Sequence, residues 1–174
     1  MTKKNDGFTL LELLTVILIV GILAVASTGS FTQLISGSVS SVASESAMVG
    51  FYSAKSEALK RRTNVTICAL KSNSQDTCGT NQADWKNGYL IFVDNQGGEA
   101  DGIINSGDEI LVVNQNHSSV VVTSSNTWFS YDGEGRSQAG TVRFCDTSEA
   151  GRSKLLNMSL IGIPKVDDSA AGCS

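Results

Sequence analysis

The chain has 174 residues, of which 41% are apolar and 17% charged, and its formal net charge is −4. This length gives one folded domain with room for an appendage. The acidic balance excludes the broad basic surface of a general nucleic-acid binder. The single histidine excludes sites built from several histidines. Few charged residues and many glycines are typical of an extracellular β-rich protein rather than a cytosolic enzyme.

The N-terminal segment is apolar over a long stretch. Residues 8–26 contain Glu12 as their only charge, and as a helix they would be roughly 28 Å long, close to the thickness of a bilayer core. Lys3 and Lys4 precede the stretch and predict a cytoplasmic N-terminus, with the remainder outside. A cleaved secretory signal is the alternative. A carboxylate inside an apolar segment costs about 2.5 to 3.5 kcal/mol, however, and an ordinary signal has no use for it.

Residues 7–12 read Gly-Phe-Thr-Leu-Leu-Glu and precede an apolar run. This motif resembles the class III signal of type IV pilins and type II secretion pseudopilins. The resemblance implies that prepilin peptidase cuts between Gly7 and Phe8, that Phe8 is N-methylated and that Glu12 acts in assembly. The expected organisation is a cleaved leader at 1–7, a transmembrane and filament-core helix at 8–30, an amphipathic helix half at 31–62 and a β-sheet globular domain at 63–174.

A physical role for Glu12 follows from this cleavage. Cutting after Gly7 creates an ammonium group on Phe8, four residues before the carboxylate. Opposite charges in one apolar layer neutralise each other, and the first turn of a helix already favours an anion. Between chains, Glu12 would pair with the ammonium group of a neighbour. We therefore expect this pairing to favour incorporation into a filament and to set its register.

The pattern stays helical as far as Arg62. Large apolar residues recur at helical spacing, and a stripe of small residues lies beside them. No proline occurs before Pro164, so one helix of roughly 50 residues is expected. We expect the large apolar stripe to pack against a sheet, and the basic cluster at 60–62 to serve as structural charge at the helix end. The two stripes are Ile35, Val39, Val42, Val49, Tyr52 and Leu59, and Ala43, Ala47, Ala54 and Ala58.

From Val65 onward, short β-branched and aromatic runs alternate with clusters of Gly, Asn, Asp and Ser, which is typical of an antiparallel sheet. A long helix followed by many strands predicts an α+β fold, with a long N-terminal hydrophobic helix packed on a C-terminal antiparallel β-sheet domain. The expected strands are 65–70, 89–93, 109–113, 120–123, 128–131, 141–145 and 155–161.

A second resemblance covers residues 56–113. The helix-to-strand junction at 56–68 and the Trp-x-x-Gly hairpin of Trp85 and Gly88 are similar to those of the GspH/FimT group of minor pilins and pseudopilins, with a FimU-like type IV pilus subunit favoured. The resemblance implies a subunit that acts in pilus assembly or priming at the filament tip. Its partners would be other minor and major pilins, prepilin peptidase and the inner membrane, with the globular domain in the periplasm.

Two other functions remain as alternatives within this group. A minor pseudopilin of a type II secretion system has the same signal, helix and core. A DNA-capturing minor pilin for natural transformation would use a basic C-terminal tail. Here Arg152 and Lys154 are followed by Asp167 and Asp168, so DNA binding is disfavoured.

The four cysteines predict two disulfides, a local pair of Cys68 and Cys78 and a C-terminal pair of Cys145 and Cys173, although sequence alone allows three connectivities. No Cys-x-x-Cys motif and no histidine near a cysteine is present, so zinc is disfavoured and no metal site is expected.

The remaining candidates favour structural roles. We expect Trp85 to cap the core and Gly88 to form a backbone turn. The acidic loop 94–109 resembles part of a calcium loop, but oxygen ligands are missing or wrongly spaced before Asp101. His117 stands alone without a nucleophile motif. No catalytic residue, cofactor or small-molecule substrate is therefore expected, and the chain is predicted not to be an enzyme.

Overall fold

The structure, a computed structural model, describes residues 9–94, 100–115, 120–145 and 153–169, except for the side chains of 25–38. The chain divides into two compact units, residues 1–35 and 36–174. The described residues form one α-helix and eight strands. These are α1 (Leu10–Arg61), β1 (Val65–Ala69), β2 (Gly88–Val93), β3 (Glu109–Gln115), β4 (Val121–Ser124), β5 (Trp128–Tyr131), β6 (Gly140–Cys145), β7 (Ser153–Met158) and β8 (Pro164–Ser169).

The predicted long helix is confirmed. It ends at Arg61 because Arg62 adopts a left-handed conformation with φ of 54°, which stops the helical hydrogen-bond pattern. Lys60 and Arg61 occupy the last turn, where cations favour the negative end of the helix dipole.

In the described parts of the chain, no helix has both the length and the hydropathy of a membrane-crossing segment.

The described strands form two four-stranded antiparallel sheets, in the orders β3-β2-β1-β5 and β4-β6-β7-β8. The α+β fold and the antiparallel pairing are confirmed. Each predicted strand has a counterpart within a few residues. The prediction for 155–161 is wrong at its C-terminal end, since β7 stops at Met158 and β8 was not predicted. Gly162, with φ of 69°, closes the turn between them, and Pro164 opens β8, a position that proline tolerates.

The core of the 36–174 unit lies where α1 packs on the strands. The helix contributes Ala47, Phe51, Ala54 and Ala58, all almost fully buried. Small side chains let a helix approach a sheet closely, so Phe51 reaches the core. Its ring lies 5.9 Å from the ring of Trp85 and 5.3 Å from that of Phe129.

The prediction that the large apolar stripe packs against a sheet is wrong. Val42, Val49, Tyr52 and Leu59 are 46–65% exposed. Val39 is partly buried at the core margin, and the side chain of Ile35 lies outside the described residues. The physical reason is that the small-residue stripe faces the core, so the large apolar stripe is left on the outer side of the helix.

The first sheet is also covered on the face opposite the helix. Cys68, Leu70, Leu90 and Phe92 form a second buried cluster there. Cys68 is bonded to Cys78 across a sequence separation of 10, so this predicted disulfide is confirmed. Cys145 is a disulfide-bonded residue, and its predicted partner Cys173 lies outside the described residues.

Candidate assembly interface

The outer face of α1 carries a row of exposed apolar side chains, which we call the α1 seam: Val42, Val49, Tyr52 and Leu59. They are spaced by seven, three and seven residues, which is the spacing of the a and d positions in the seven-residue repeat by which one α-helix packs along another. A row of this kind contributes little to the stability of the isolated subunit, because its apolar area stays in water. An exposed apolar row along one helix face marks a candidate contact site, and Glu45 and Ser56 are the exposed polar residues within this row.

An apolar cavity of about 340 Å³ opens beside the seam. Val39 and Val42 from α1 line one side, and Trp85, Tyr89 and Phe144 line the other. The Tyr89 hydroxyl donates a hydrogen bond to the Ser46 carbonyl at 3.2 Å, which fixes the aromatic wall to the helix. Burial raises the pKa of this hydroxyl, so it stays protonated and able to donate.

The N-terminal unit places Glu12 in the first turn of α1. The Glu12 backbone N–H donates to the carbonyl of Thr9 at 3.1 Å and to its hydroxyl at 3.3 Å, so Thr9 caps the helix start. Glu12 is exposed, as are the apolar side chains of residues 10–24 around it. Gly7 and Phe8 lie outside the described residues, so cleavage and N-methylation stay predictions.

The C-terminal end of α1 is tied down by ion pairs. Glu57 contacts Lys60 at 3.2 Å and Arg61 at 2.7 Å, and Arg61 also bonds Glu109 of β3. The hydrogen bond from Arg61 lowers the pKa of Glu57, so the carboxylate stays charged. For Lys60 and Arg61 the predicted structural role is confirmed.

The Trp-x-x-Gly element is structural, as predicted. Trp85 is almost fully buried, and its indole N–H donates to the carbonyl of Asn126 at 2.8 Å. Gly88 has φ of 109°, a conformation that favours glycine, and begins β2. Trp85 therefore packs the segment before β2 against Phe51 of the helix.

The acidic loop uses its carboxylates within the fold. Asp94 is 1% exposed, and one of its oxygens accepts hydrogen bonds from the Thr66 hydroxyl at 2.9 Å and the Gly102 N–H at 3.2 Å. Burial raises the pKa of Asp94. Asp101 and Asp108 accept bonds from loop atoms. Among the described residues, no group of three or more acidic, histidine or cysteine side chains is arranged to hold a metal ion.

Several cations of the C-terminal half are neutralised by carboxylates. Arg136 pairs with Asp132 and Glu134. Lys154 pairs with Asp168, and Lys165 with Asp167. Paired cations have little charge left for phosphates. Arg152 and His117 lie outside the described residues.

Sequence reasoning missed one exposed apolar feature, the turn between β7 and β8. Leu160, Ile161 and Ile163 are exposed there. The signal was present in the order Leu-Ile-Gly-Ile-Pro at 160–164, where Gly and Pro mark a turn. The apolar run was interpreted as the end of a strand instead.

Comparison with known proteins gives two family matches. The family described as Type II transport protein GspH matches residues 43–162. The prokaryotic N-terminal methylation motif matches residues 2–28. A search of curated protein sequences gives no significant match.

The fold is similar to that of the type IV minor pilin FimU of Pseudomonas aeruginosa strain PAO1, solved in two crystal forms. One is 18% identical, with a TM-score of 0.57, and the match covers 78% of this chain and 93% of the FimU chain. The other is 16% identical, with a TM-score of 0.51, and covers 76% and 96%. This likeness shows a shared pilin fold. Because the GspH match extends over more than half of the sequence, the chain belongs to the GspH family of minor pilins and pseudopilins.

Proposed function

We propose that this chain is a minor pilin that joins a type IV pilus at its tip or during priming, and that the α1 seam is its contact with the helices of other pilins. The observation that carries the proposal is the exposed apolar row whose members are seven, three and seven residues apart. It supports helix-to-helix packing because such a repeat keeps one face turned toward a partner helix. Burying this row removes apolar surface from water, and this burial drives association.

In this proposal the chain is made with a leader, and prepilin peptidase removes residues 1–7. Phe8 becomes the N-methylated first residue, and residues 8–30 anchor the subunit in the inner membrane, with the globular domain in the periplasm. The exposed apolar side chains of 10–24 support this, because they need a non-aqueous neighbour before and after assembly. Glu12 then pairs with the ammonium group of an adjoining subunit.

A pseudopilin of a type II secretion system is the second candidate. The description of the matching family, a type II transport protein, favours it. The similarity to FimU in fold supports the pilus instead. The two machines use the same helix chemistry, so the identity of the pilins that purify with the chain distinguishes them.

DNA capture is disfavoured on charge. Duplex binding at physiological salt needs several unpaired cations on one face. The pairing of Arg136, Lys154 and Lys165 with carboxylates weakens that footprint.

The test compares the sheared filaments of cells that produce the full chain with its own pilins. We expect the wild-type chain in the filament fraction and Val49→Glu largely absent from it, because a charge in the seam opposes helix packing. Membrane levels should be unchanged, since Val49 is 65% exposed. Val121→Glu, at an exposed apolar residue of β4, is the matched control and should assemble normally.

A wild-type chain that is absent from filaments and does not purify with any pilin would overturn the proposed function. Purification with secretion pseudopilins alone would make the second candidate the function. Equal incorporation of Val49→Glu and wild type would remove the seam from the mechanism.

A further inference from the structure

The β7–β8 turn displays three large apolar side chains that the fold does not bury. Leu160, Ile161 and Ile163 are 47–68% exposed. Turn tips usually carry small or polar residues. Three adjacent apolar side chains contribute little to folding here, because they remain in water.

The turn is held in one conformation by hydrogen bonds within it and by one from Ser137. The Gly162 N–H donates to the carbonyl of Ser159 at 2.8 Å. The Ser159 hydroxyl donates to the carbonyl of Ile163 at 3.1 Å, and the Ser137 N–H donates to the carbonyl of Leu160 at 3.2 Å. A Cβ atom on Gly162 would clash with the Gly135 carbonyl oxygen. The close approach fixes the turn against its neighbour, so its side chains are presented on a rigid support.

The turn joins the C-terminal half of the α1 seam. The Lys55 ammonium donates to the carbonyl of Ile161 at 2.9 Å, and the Tyr52 hydroxyl reaches the carbonyl of Pro164 at 3.5 Å. The side chain of Leu59 packs near Gly135, beside the base of the turn. Leu160, Ile161 and Ile163 therefore continue the apolar surface begun by Tyr52 and Leu59.

Lys55 gives this surface its charge. Its ammonium group meets a carbonyl oxygen, which is a dipole and does not neutralise it. Among the described residues, the salt bridges involve other cations, namely Lys60, Arg61, Arg136, Lys154 and Lys165. Lys55 is thus a cation without a carboxylate partner in the part of the chain that the structure describes, set between apolar side chains.

We propose that this turn–helix surface, made of Tyr52, Lys55, Leu59, Leu160, Ile161 and Ile163, docks the globular domain of a second pilin subunit. That domain presents apolar side chains with one carboxylate opposite Lys55. The proposal rests on the proposed function and extends it from helix packing to a contact between domains. Continuity with the α1 seam selects a pilin as the occupant, since a subunit packed along the seam reaches the turn.

The chemistry of the surface favours a protein over the other occupants. A rigid apolar centre with a single charge is typical of the core of a protein interface. Duplex DNA and anionic lipid surfaces are bound by clusters of several cations. The turn–helix surface supplies one unpaired cation, Lys55, and its other members are uncharged.

The experiment uses the full chain in cells that also make its own pilins, with a photo-crosslinking phenylalanine derivative at Leu160. The matched control carries the same derivative at Val121, which is also apolar and 48% exposed. We expect position 160 to crosslink to a chain with a pilin-type N-terminal motif, and position 121 not to crosslink to it. No pilin crosslink from 160, or the same crosslink from both positions, would overturn the inference. A crosslink to lipid or DNA would do so too.

Two variants test the energetics of the contact. Leu160→Ser combined with Ile161→Ser removes the apolar centre, and Lys55→Glu places a carboxylate opposite the expected carboxylate. Each should lower incorporation into filaments about tenfold, while Lys86→Glu, at an exposed cation elsewhere, leaves it unchanged. Normal incorporation of both variants, with Val49→Glu still excluded, would overturn the docking surface and leave the proposed function standing. Absence of the wild-type chain from filaments and pilin complexes would instead overturn the function itself.

Discussion

Glu12 lies in the first turn of α1 among exposed leucines, and in the proposed assembly these side chains would leave water. A carboxylate taken into an apolar layer is costly unless it is paired. If Glu12 pairs with a neighbouring chain, its charge is unpaired and costly before assembly and paired afterwards. This difference would favour incorporation.

We expect Glu12→Leu to enter the membrane at least as well as wild type, because it removes a charge from an apolar segment. The same change should lower incorporation into filaments severely, since the neighbouring ammonium group loses its partner. Immunoblots of membrane and sheared-filament fractions measure both quantities. Glu134→Leu, at an exposed carboxylate of the globular domain, is the control. Normal filament levels of Glu12→Leu would remove Glu12 from the mechanism.

Asp94 shows how burial changes a carboxylate. Its usual pKa is 3.8, and burial raises it in the folded protein. At a pH between the unfolded pKa and the raised folded pKa, the folded state therefore keeps a proton that the unfolded state has lost. The contribution of Asp94 to stability is present below its unfolded pKa and is lost as the pH rises through its raised folded pKa.

We expect the melting temperature of Asp94→Asn to increase relative to that of wild type as the pH rises from about 4 to 8. Asparagine does not ionise, so the variant does not lose stability in this way as the pH rises. Thermal unfolding of a fragment of residues 31–174 measures it. Asp76→Asn is a control of opposite sign, because hydrogen bonds from Ser74 and Thr77 lower the pKa of Asp76. A difference for Asp94 that is independent of pH would contradict the assignment.

At the scale of the element, α1 shows what periodicity determines. The helix itself was predictable, because small and apolar residues recur at helical spacing without a proline. The sequence could not predict which of the two adjacent stripes is buried. Residue size favours the larger stripe, but the close approach to the sheet buries Ala47, Ala54 and Ala58, and that distance is a tertiary property. The exposed seam was therefore assigned to the core.

This division predicts a large loss of stability from truncating Phe51 and a small one from truncating Val49. Phe51→Ala should lower the free energy of unfolding by about 3 to 5 kcal/mol, because it empties the site between Trp85 and Phe129. Val49→Ala should change it by less than about 0.5 kcal/mol, as expected of an exposed site. Urea denaturation of the 31–174 fragment measures both. Equal losses would mean that the seam is part of the core.

The strands show a similar limit. Alternating β-branched and aromatic runs located β1 to β7 to within a few residues, because turn-forming residues separate them. β8 was missed because it begins with Pro164 and carries Lys165, Asp167 and Asp168. Charged residues and proline are common on a sheet edge, where they prevent further strand pairing, and they weaken the sequence signal of a strand.

At the scale of the whole molecule, the site could be anticipated only in part. The motif at residues 7–12 and the Trp-x-x-Gly element indicated the family, and the GspH and N-methylation matches confirm it. The β7–β8 turn could not be placed beside α1 from sequence, since Lys55 and Ile161 are separated by 106 residues and meet only through the fold.

The charge distribution predicts weak binding to DNA. A titration of labelled duplex with the 31–174 fragment at about 150 mM salt should show no saturation at micromolar protein, because the paired cations release few counterions. Micromolar binding with a steep salt dependence, lost in Arg152→Ala combined with Lys154→Ala, would contradict this and favour DNA capture.

The central claim is that the chain is processed as a pilin and assembled through its helix. Mass spectrometry of the N-terminal peptide of the chain in sheared filaments tests it most directly. The predicted result is a mature chain that begins with N-methylated Phe8 and is present together with other pilins. A mature chain that begins at Ser27, as an ordinary secretory signal would leave it, and that is absent from the filaments, would contradict the claim.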